Sequence, residues 1–493
     1  MSLYLSKSKY CNAVQCPKML WMKNRKEYDD KFDSSVMNEA VLETGNQVGD
    51  RAMGLFGDYV EIPYSNPSDM IKATKEEIEK GTSIIAEASF SYNGLFCSVD
   101  ILKRTDQGSF EIYEVKSSTE VKAINEDDAA YQYYVLTKLG YEITRVCIVH
   151  INSSYVRYGD LDLSKLFHIE DITRLVQGKQ AEVDYNITIL ESYMKEETEP
   201  EQEIGQHCFA PYKCGYFNYC SEDLPKPNVF DLVGMQTRTK FKHYNNGHVS
   251  FEELYRSGEL DEKYMIQIDH TLHDVEDRLD IVKIREFVDG LEYPLYFLDF
   301  ETYQEAIPEY DGCSPYEQMP FQYSLHILYE DGVLEHKEFL ADINKDPRRS
   351  VAEHLCEDIP KGVCSVAYNM SFEKGRIKKL AQLYPDLRKN LMDMYDNMYD
   401  LMPIFKNKDY YKKEMEGSYS IKKVLPALFP DDLELDYNSL PGVKKGDEAS
   451  RAYKEMKDAI PEEIARTREE LLAYCKLDTL AMVKIWQKLN EVI

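Results

Sequence analysis

Between residues 83 and 152 the chain alternates strand-like runs with a helical run, and no other feature constrains the fold as strongly. The runs SIIAEASFSY, LFCSVDILKR and SFEIYEVKSS come first, then the helical AAYQYYVLTKLG, then RVCIVHIN. Strands rich in Val, Ile, Phe and Tyr with a helix between them predict an α/β domain, and a helical segment opens the chain ahead of it. A second β-rich start, YPLYFLDFETY, begins at Tyr293. It is followed by FQYSLHILYEDGVLEHKEFL, which predicts a hairpin around Glu330-Asp331-Gly332, and the chain closes on the helical ELLAYCKLDTLAMVKIWQKLNEV. In between, PKPNVFDLVGMQTRTKFKHYNNGHVSFEELY predicts two short helices around a Gly-Asn turn, and MIQIDHTLHDVEDRLDIVKIREFVDGL one longer helix. Three regions result: an α/β domain over 1–222, a helical connector over 223–290 and a second α/β domain over 291–493. The α/β multidomain class follows from this pattern, with no internal repeat or low-complexity linker.

A chain of 493 residues is long enough for two to four domains with proper cores. No apolar run reaches the roughly eighteen residues needed to span a bilayer. The N-terminal MSLYLSKSKYCNAVQCPKMLWM lacks the apolar core of a secretory signal. The expected compartment is therefore the cytoplasm, with no membrane partner. Eleven cysteines in such a chain are not a disulfide framework. Cys97, Cys147, Cys356 and Cys364 sit in apolar stretches and are expected to be buried small hydrophobes. Cys208-x5-Cys214-x5-Cys220, three thiols in thirteen residues, asks for another reason.

Two constellations point to chemistry. In the first, Asp100 lies near the end of one expected strand and Glu114-Val115-Lys116 in the next. Glu114 and Lys116 share a face because strand side chains alternate. If the strands are neighbours, two carboxylates and an amine surround one point, a set that suits one or two Mg²⁺ ions and a phosphate. Taken by itself the pattern is common, and a solvated strand face is the plain alternative. Gln132, in the following helix, is placed to sit beside it.

With the cysteines added, the first region resembles the PD-(D/E)XK nucleases of the RecB family, in the branch that carries an iron–sulfur cluster. The resemblance implies a restriction-endonuclease-like fold. One Cys before the nuclease core and three after it hold the cluster in that branch; Cys16, in QCPKMLW, and Cys208, Cys214 and Cys220 match this layout. Cys11 is nearby, but the Cys-Pro-Lys context favours Cys16. Thiolates suit zinc as well as iron–sulfur clusters. The resemblance implies a 4Fe-4S cluster; the x5 spacings do not form the paired knuckles that zinc favours, and zinc or no metal are the alternatives. His207 adjoins Cys208 and is expected beside the cluster rather than on it. The family often has a His four residues after a Gly in an N-terminal helix, where this chain has Gly45 and then Gly49. Glu87, in the strand before Asp100, is the candidate for the missing ligand.

In the second constellation, Asp299 and Glu301 end the strand YPLYFLDFE and share a face, so they can hold a metal pair. Tyr474 and Asp478 lie one turn apart on the last helix and converge on one side. Between them, Asn369-Met-Ser-Phe372-Glu373 opens a helix after the strand VCSVAYN. These strings, in this order, are similar to the three exonuclease motifs of the DEDD family. Tyr474 places them with the DEDDy branch, and position 473 is Ala where the His branch would differ. The resemblance covers roughly 293–493. It implies an RNase H-like fold and a two-metal mechanism in which Asp299, Glu301 and Asp478 ligate Mg²⁺ or Mn²⁺ and Tyr474 orients the attacking water. Glu373 departs from the family's Asp. Its extra methylene moves the carboxylate by about 1.5 Å, so either the helix is set back, or Asp400 in MYDLMPIF substitutes, or activity is weakened.

The whole layout resembles bacterial fusion proteins that join these two modules, with YLSKSKY, QCPKMLW, VKSST, GSYSIKKVLPAL and LLAYCKLDTLAM as shared blocks. The connector string Leu232-Val-Gly234-Met is the nearest to a helix-hairpin-helix turn, although a plain helical spacer fits better. A net charge of −29 counts against tight non-specific phosphate binding, but clustered metal-binding carboxylates push the total the same way. The expectation is a metal-dependent nuclease acting on DNA through two sites. The alternatives are an RNA-trimming exonuclease, or a nucleic-acid-binding scaffold whose second site is inactive through Glu373.

Overall fold

In a computed structural model describing residues 4–36 and 39–493, the strand runs of the first half join one seven-stranded mixed sheet. Its strands are β1 (Leu5–Ser6), β2 (Val60–Glu61), β3 (Ile84–Tyr92), β4 (Leu95–Arg104), β5 (Phe110–Lys116), β6 (Ile143–Ile151) and β7 (Phe167–Asp171). They run in the order β2-β3-β4-β5-β6-β7, with β1 added in parallel to the start of β4. The five long strands are the five that their apolar and aromatic content selects.

Both faces of this sheet are covered, which explains near-continuous apolar runs where a half-exposed strand would alternate. One core joins Ile112, Val146 and Ile148 to Ala129, Val135 and Leu136 of a helix. The other joins Tyr113, Cys147 and Val149 to Val48 and Ala52 of the helix Glu39–Met53. The strand alternation reverses in one place. Ile84 and Ile101 face the second core, whereas Ala88, Phe90, Cys97 and Val99 face the first. The reversal falls at Glu87, whose φ of 56° is rare for a strand residue, and at Asp100, between the pairs Ala86↔Ile101 and Ala88↔Val99. Two acidic residues thus stand where the pleat breaks.

The chain divides into two compact units. The first comprises Met1–Asp223 and Glu305–Tyr316, the second Leu224–Gln304 and Glu317–Ile493. The segment 305–316 belongs to the first unit through Ala306, which lies in its second core, and through Arg157, whose guanidinium donates to the carbonyls of Pro308 and Glu309.

In the second unit, β8 (Arg278–Leu279) pairs with β14 (Tyr410–Tyr411), and a five-stranded sheet is built from β9 (Leu295–Tyr303), β10 (Met319–Leu328), β11 (Leu334–Leu340), β12 (Cys364–Ala367) and β13 (Met398–Asp400). Its order is β11-β10-β9-β12-β13; β9, β10 and β11 are antiparallel neighbours, and β12 and β13 run parallel to β9. The β10–β11 hairpin turns at 330–332, as its Glu-Asp-Gly string requires. β9 is the central strand and is apolar on both faces apart from its two acids and Thr302. Tyr296, Leu298 and Phe300 pack toward the core that holds Val351 and Ile377. The opposite face meets the C-terminal helix Pro461–Glu491, where Thr479 hydrogen-bonds both Ser324 and His326 of β10. That helix buries a stripe of Leu471, Cys475, Asp478, Met482 and Leu489, so one charged residue sits in an otherwise apolar seam.

Two expectations are corrected. The single long connector helix is two, Glu262–Leu272 and Ile281–Asp289. Asp274, Glu276 and Asp277 crowd like charge into the gap, β8 is captured by β14, and the Asp280 side chain caps the second helix by accepting from the Lys283 amide. Cys356, expected to be buried, is half-buried, while Cys97, Cys147 and Cys364 are buried. Among the described residues no helix is long and apolar enough to cross a membrane.

Candidate metal and phosphate centres

The first centre forms where β1 joins β4. β1 ends at Ser6, whose side chain caps α1 (Lys7–Gln15) and so delivers Lys7 to the edge of β5. The Lys7 ammonium donates to Glu114 at 2.8 Å and lies 3.6 Å from Asp100. Lys116 donates to the same oxygen of Glu114 and to Asp128, both at 2.6 Å. The helix α2 (Pro17–Lys23) follows α1 directly, and α3 (Ala123–Lys138) presents Asp128 and Gln132 one turn apart toward the sheet. The Gln132 amide donates to Glu114 at 2.7 Å and to Asp128 at 3.1 Å. Asp100 accepts from the Val115 amide at 2.7 Å, where β4 and β5 part.

The structure thus brings Asp100, Glu114, Lys116 and Gln132 together and adds Lys7 and Asp128, which the sequence reading did not select. Burial pushes the Asp100 carboxyl up to about 7, and the Glu114 charge pushes the same way. Burial opposes ionisation of Glu114 as well, but Lys116 and Lys7 outweigh it and hold its carboxyl well below the usual range. Glu87 is half-buried, and its carboxyl is raised by burial with Lys7 and Glu114 as its largest charged neighbours. Gly45 and Gly49 lie on the helix Glu39–Met53. The Oε1 of Gln132 is buried without a hydrogen-bond partner. An orphaned acceptor among three acids is a donor set suited to a hard divalent cation.

The four cysteines gather beneath α2. Cys16, Cys208, Cys214 and Cys220 line one small cavity together with Met19, Met22 and His207. Burial raises the Cys16 thiol, against the amides of Lys18 and Met19 at the start of α2. Cys208 is pushed up to about 11 by burial, with the other three thiols adding to the shift. His207 lies 3.6 Å from the Cys208 sulfur. The two ends of the unit are stitched around this cavity. Gln15 donates to the carbonyls of His207 and Tyr212 at 2.7 Å, and Glu199 takes Lys18, Tyr28 and Tyr219 on one carboxylate. Four thiols facing one cavity suit a thiolate-held metal group.

The second centre lies on β9. Ligand atoms of Asp299, Glu301 and Cys475 lie within 4.8 Å of one another. Asp478 accepts from the Tyr437 hydroxyl at 2.6 Å, and the nearby Tyr474 also favours its charged form. The helix α4 (Ser371–Leu383) brings Glu373 in its first turn; its carboxyl is buried and its Oε2 has no partner. The Glu373 charge acts on both Asp299 and Glu301. One oxygen of Asp400 accepts from the amides of Asn369 and Met402 and so fixes the turn that opens α4. The sequence reading missed Tyr437, and also Lys422 at the head of the helix Ile421–Leu428, which donates to the Tyr474 hydroxyl at 3.0 Å.

Like charges converge here with little to offset them. Burial, then Asp478, push Asp299 and Glu301 well above the carboxylate range, and burial puts Asp478 at about 6. Burial raises Glu373 to about 8, with Asp400 adding to the rise. A site of oxygen donors that cannot all ionise in the free protein suits a divalent cation. The Cys475 thiol, also raised well above its usual range by burial, is a neutral donor beside Asp299.

These shifts predict a pH dependence. Between the ordinary Glu value of 4.5 and the folded value of about 8, the folded chain binds more protons at Glu373 than the unfolded chain. Stability from this group is therefore full below pH 4.5 and falls as pH rises toward 8, by at most about 1.4 kcal/mol per pH unit. Glu373→Gln is expected to raise the melting temperature in chelator by several degrees at pH 8 and to change it little near pH 5. Thermal unfolding at the two values checks this; equal effects at both would show that Glu373 ionises normally.

The family described as "Domain of unknown function (DUF2779)" matches residues 296–420, a stretch that includes Asp299, Glu301, Glu373 and Asp400 and stops before Lys422, Tyr437, Tyr474 and Asp478. No curated protein matches the chain.

Proposed function

We propose that the protein is a metal-dependent nuclease with two active sites acting on DNA, a RecB-like PD-(D/E)XK domain fastened by a 4Fe-4S cluster and an RNase H-like DEDDy exonuclease domain. The observation that weighs most is the convergence of Asp299, Glu301, Glu373 and Asp478 in one buried place with a tyrosine at its edge. In keeping with this reading, the acids stand on the central strand of a mixed five-stranded sheet and on the helix that closes it. Mg²⁺ or Mn²⁺ held there would supply Lewis acidity at the phosphate. Asp299, Glu301 and Asp478 would be its ligands, Glu373 would complete the acidic shell, and Tyr474, held by Lys422, would orient water toward the phosphate. In the first domain Asp100 and Glu114 would hold the cation, with Glu87 at the pleat break as a further acid, and Lys116 faces the phosphate.

The test is digestion of labelled single- and double-stranded DNA and RNA with Mg²⁺ or Mn²⁺. DNA cleavage by the wild type and none by a Lys116→Ala/Asp299→Ala double variant is the expected result. Cleavage of RNA alone moves the assignment to RNA trimming. Tight binding with no cleavage of any polymer favours a scaffold in which the buried Glu373 no longer serves catalysis.

The cluster has its own check. Protein purified without oxygen is expected to be brown, with broad absorbance near ~400 nm. Cys214→Ser is expected to abolish that absorbance, to remove most of the iron and to lower the melting temperature of the first domain, because ligation ties Cys16 to the segment 208–220. Stoichiometric zinc without iron in anaerobic preparations would sink the assignment.

A further inference from the structure

In the helical part of the second unit, three potential ligands meet around a short helix. The helix α5 (Thr237–Asn245) carries His243 in its last turn, and Gly247, at φ 80°, reverses the chain so that the His248 amide donates to the His243 carbonyl at 3.0 Å. Ser250 then caps α6 (Phe251–Ser257) in a reciprocal box with Glu253, and Gly258, in the left-handed conformation, ends α6 just before Glu259. One ring nitrogen of each histidine and a carboxylate oxygen of Glu259 lie within 4.8 Å of one another.

Two histidines five residues apart are ordinary packing residues when their ring nitrogens find partners. Here the Nδ1 atoms of both His243 and His248 are sealed from solvent and have none. His243 is 6% exposed, so its imidazole is committed to this interior. We propose that His243, His248 and Glu259 form a further metal site that takes a zinc-class divalent ion and fastens the turn between α5 and α6 to the end of α6.

Two imidazoles and one carboxylate are a borderline donor set, which suits Zn²⁺ and its analogue Co²⁺ better than Mg²⁺. Ligand bonds of about 2.0–2.1 Å at tetrahedral angles set neighbouring donors about 3.4 Å apart. The present spacing therefore closes by a modest movement of Glu259, the exposed member of the three. Burial lowers the His243 imidazole below its usual range, against the pull of Glu259, and a neutral imidazole is the form that ligates. The backbone on either side is already fixed by the Gly247 turn and the Ser250 box, so binding orders little.

The test is titration of Zn²⁺ into the chelator-washed full chain against a chromogenic zinc chelator, in the wild type, His248→Ala and Glu259→Ala. The expected result is one tight site fewer in His248→Ala, and the same site weakened by tenfold or more in Glu259→Ala, with the thiol and carboxylate centres contributing equally in all three. Circular dichroism shows whether His248→Ala is folded; if it is not, the exposed Glu259 decides the matter. Equal zinc number and affinity in the wild type and Glu259→Ala overturns the site whatever His248→Ala does.

Discussion

In a Lys116→Ala background, Asp299→Ala is expected to remove the remaining Mg²⁺-dependent cleavage by three orders of magnitude or more. Loss of a shared metal ligand takes away both the charge that fixes the ion and the geometry of attack, and each is worth on the order of 10²–10³ in rate. The structure makes this separable from a folding defect. Burial and three acidic neighbours, Asp478, Glu301 and Glu373, already push the Asp299 carboxyl far above its usual range, so its charge destabilises the metal-free chain. Removing it is therefore expected to leave melting in chelator unchanged or higher at pH 8, while melting no longer rises with Mg²⁺. A variant that melts as predicted and still cuts as well as its parent means that the second centre is misassigned. A purely structural role for Asp299 would instead show as a lower melting temperature with proportionate loss of activity.

How far the sequence reveals these centres depends on how local each interaction is. Asp299 with Glu301, Glu114 with Lys116, and Tyr474 with Asp478 are legible because strand and helix periodicity alone puts each pair on one side. Asp128 was equally legible, one turn before Gln132 on the same helix face, but it stood in an acidic pair whose other member, Asp127, binds Lys179 instead. Lys7 was not legible. It reaches Glu114 because a two-residue strand adds to the free half of β4, a pairing across ninety residues that no local pattern signals. Lys422 and Tyr437 come from short elements around irregular loops, where side-chain direction has no period to read. The reversal of both strands at Glu87 and Asp100 was hidden for a related reason, since runs apolar on both faces look the same before and after a flip. The connector helix failed through tertiary override, because strand pairing claimed residues whose propensity allowed a helix.

The structure also changes what Lys116→Ala should do. A lysine on an exposed catalytic face would be lost without harm to folding, but Lys116 is only 23% exposed at its side chain and is paired with Glu114 and Asp128. Without it, three neighbouring acids share the single ammonium of Lys7, and the balance that keeps Glu114 ionised shifts toward protonation. Breaking a fully buried pair costs about 3–5 kcal/mol; partial exposure and proton uptake reduce this, so a loss of about 1–2 kcal/mol is expected, greater at pH 8 than at pH 6. Cleavage by the first centre, measured in an Asp299→Ala background at a temperature where both proteins are folded, is expected to fall at least a hundredfold, because a fixed cation beside the phosphate acts on charge that develops during attack. Lys7→Ala distinguishes position from charge. It removes an ammonium of similar closeness to Glu114, yet one that also contacts Asp100 and follows the strand β1, and a smaller loss of rate is expected. If Lys116→Ala loses stability but retains its rate per folded molecule, the amine serves only to neutralise Glu114 and Asp128, and phosphate charge in the first domain must be met by another group.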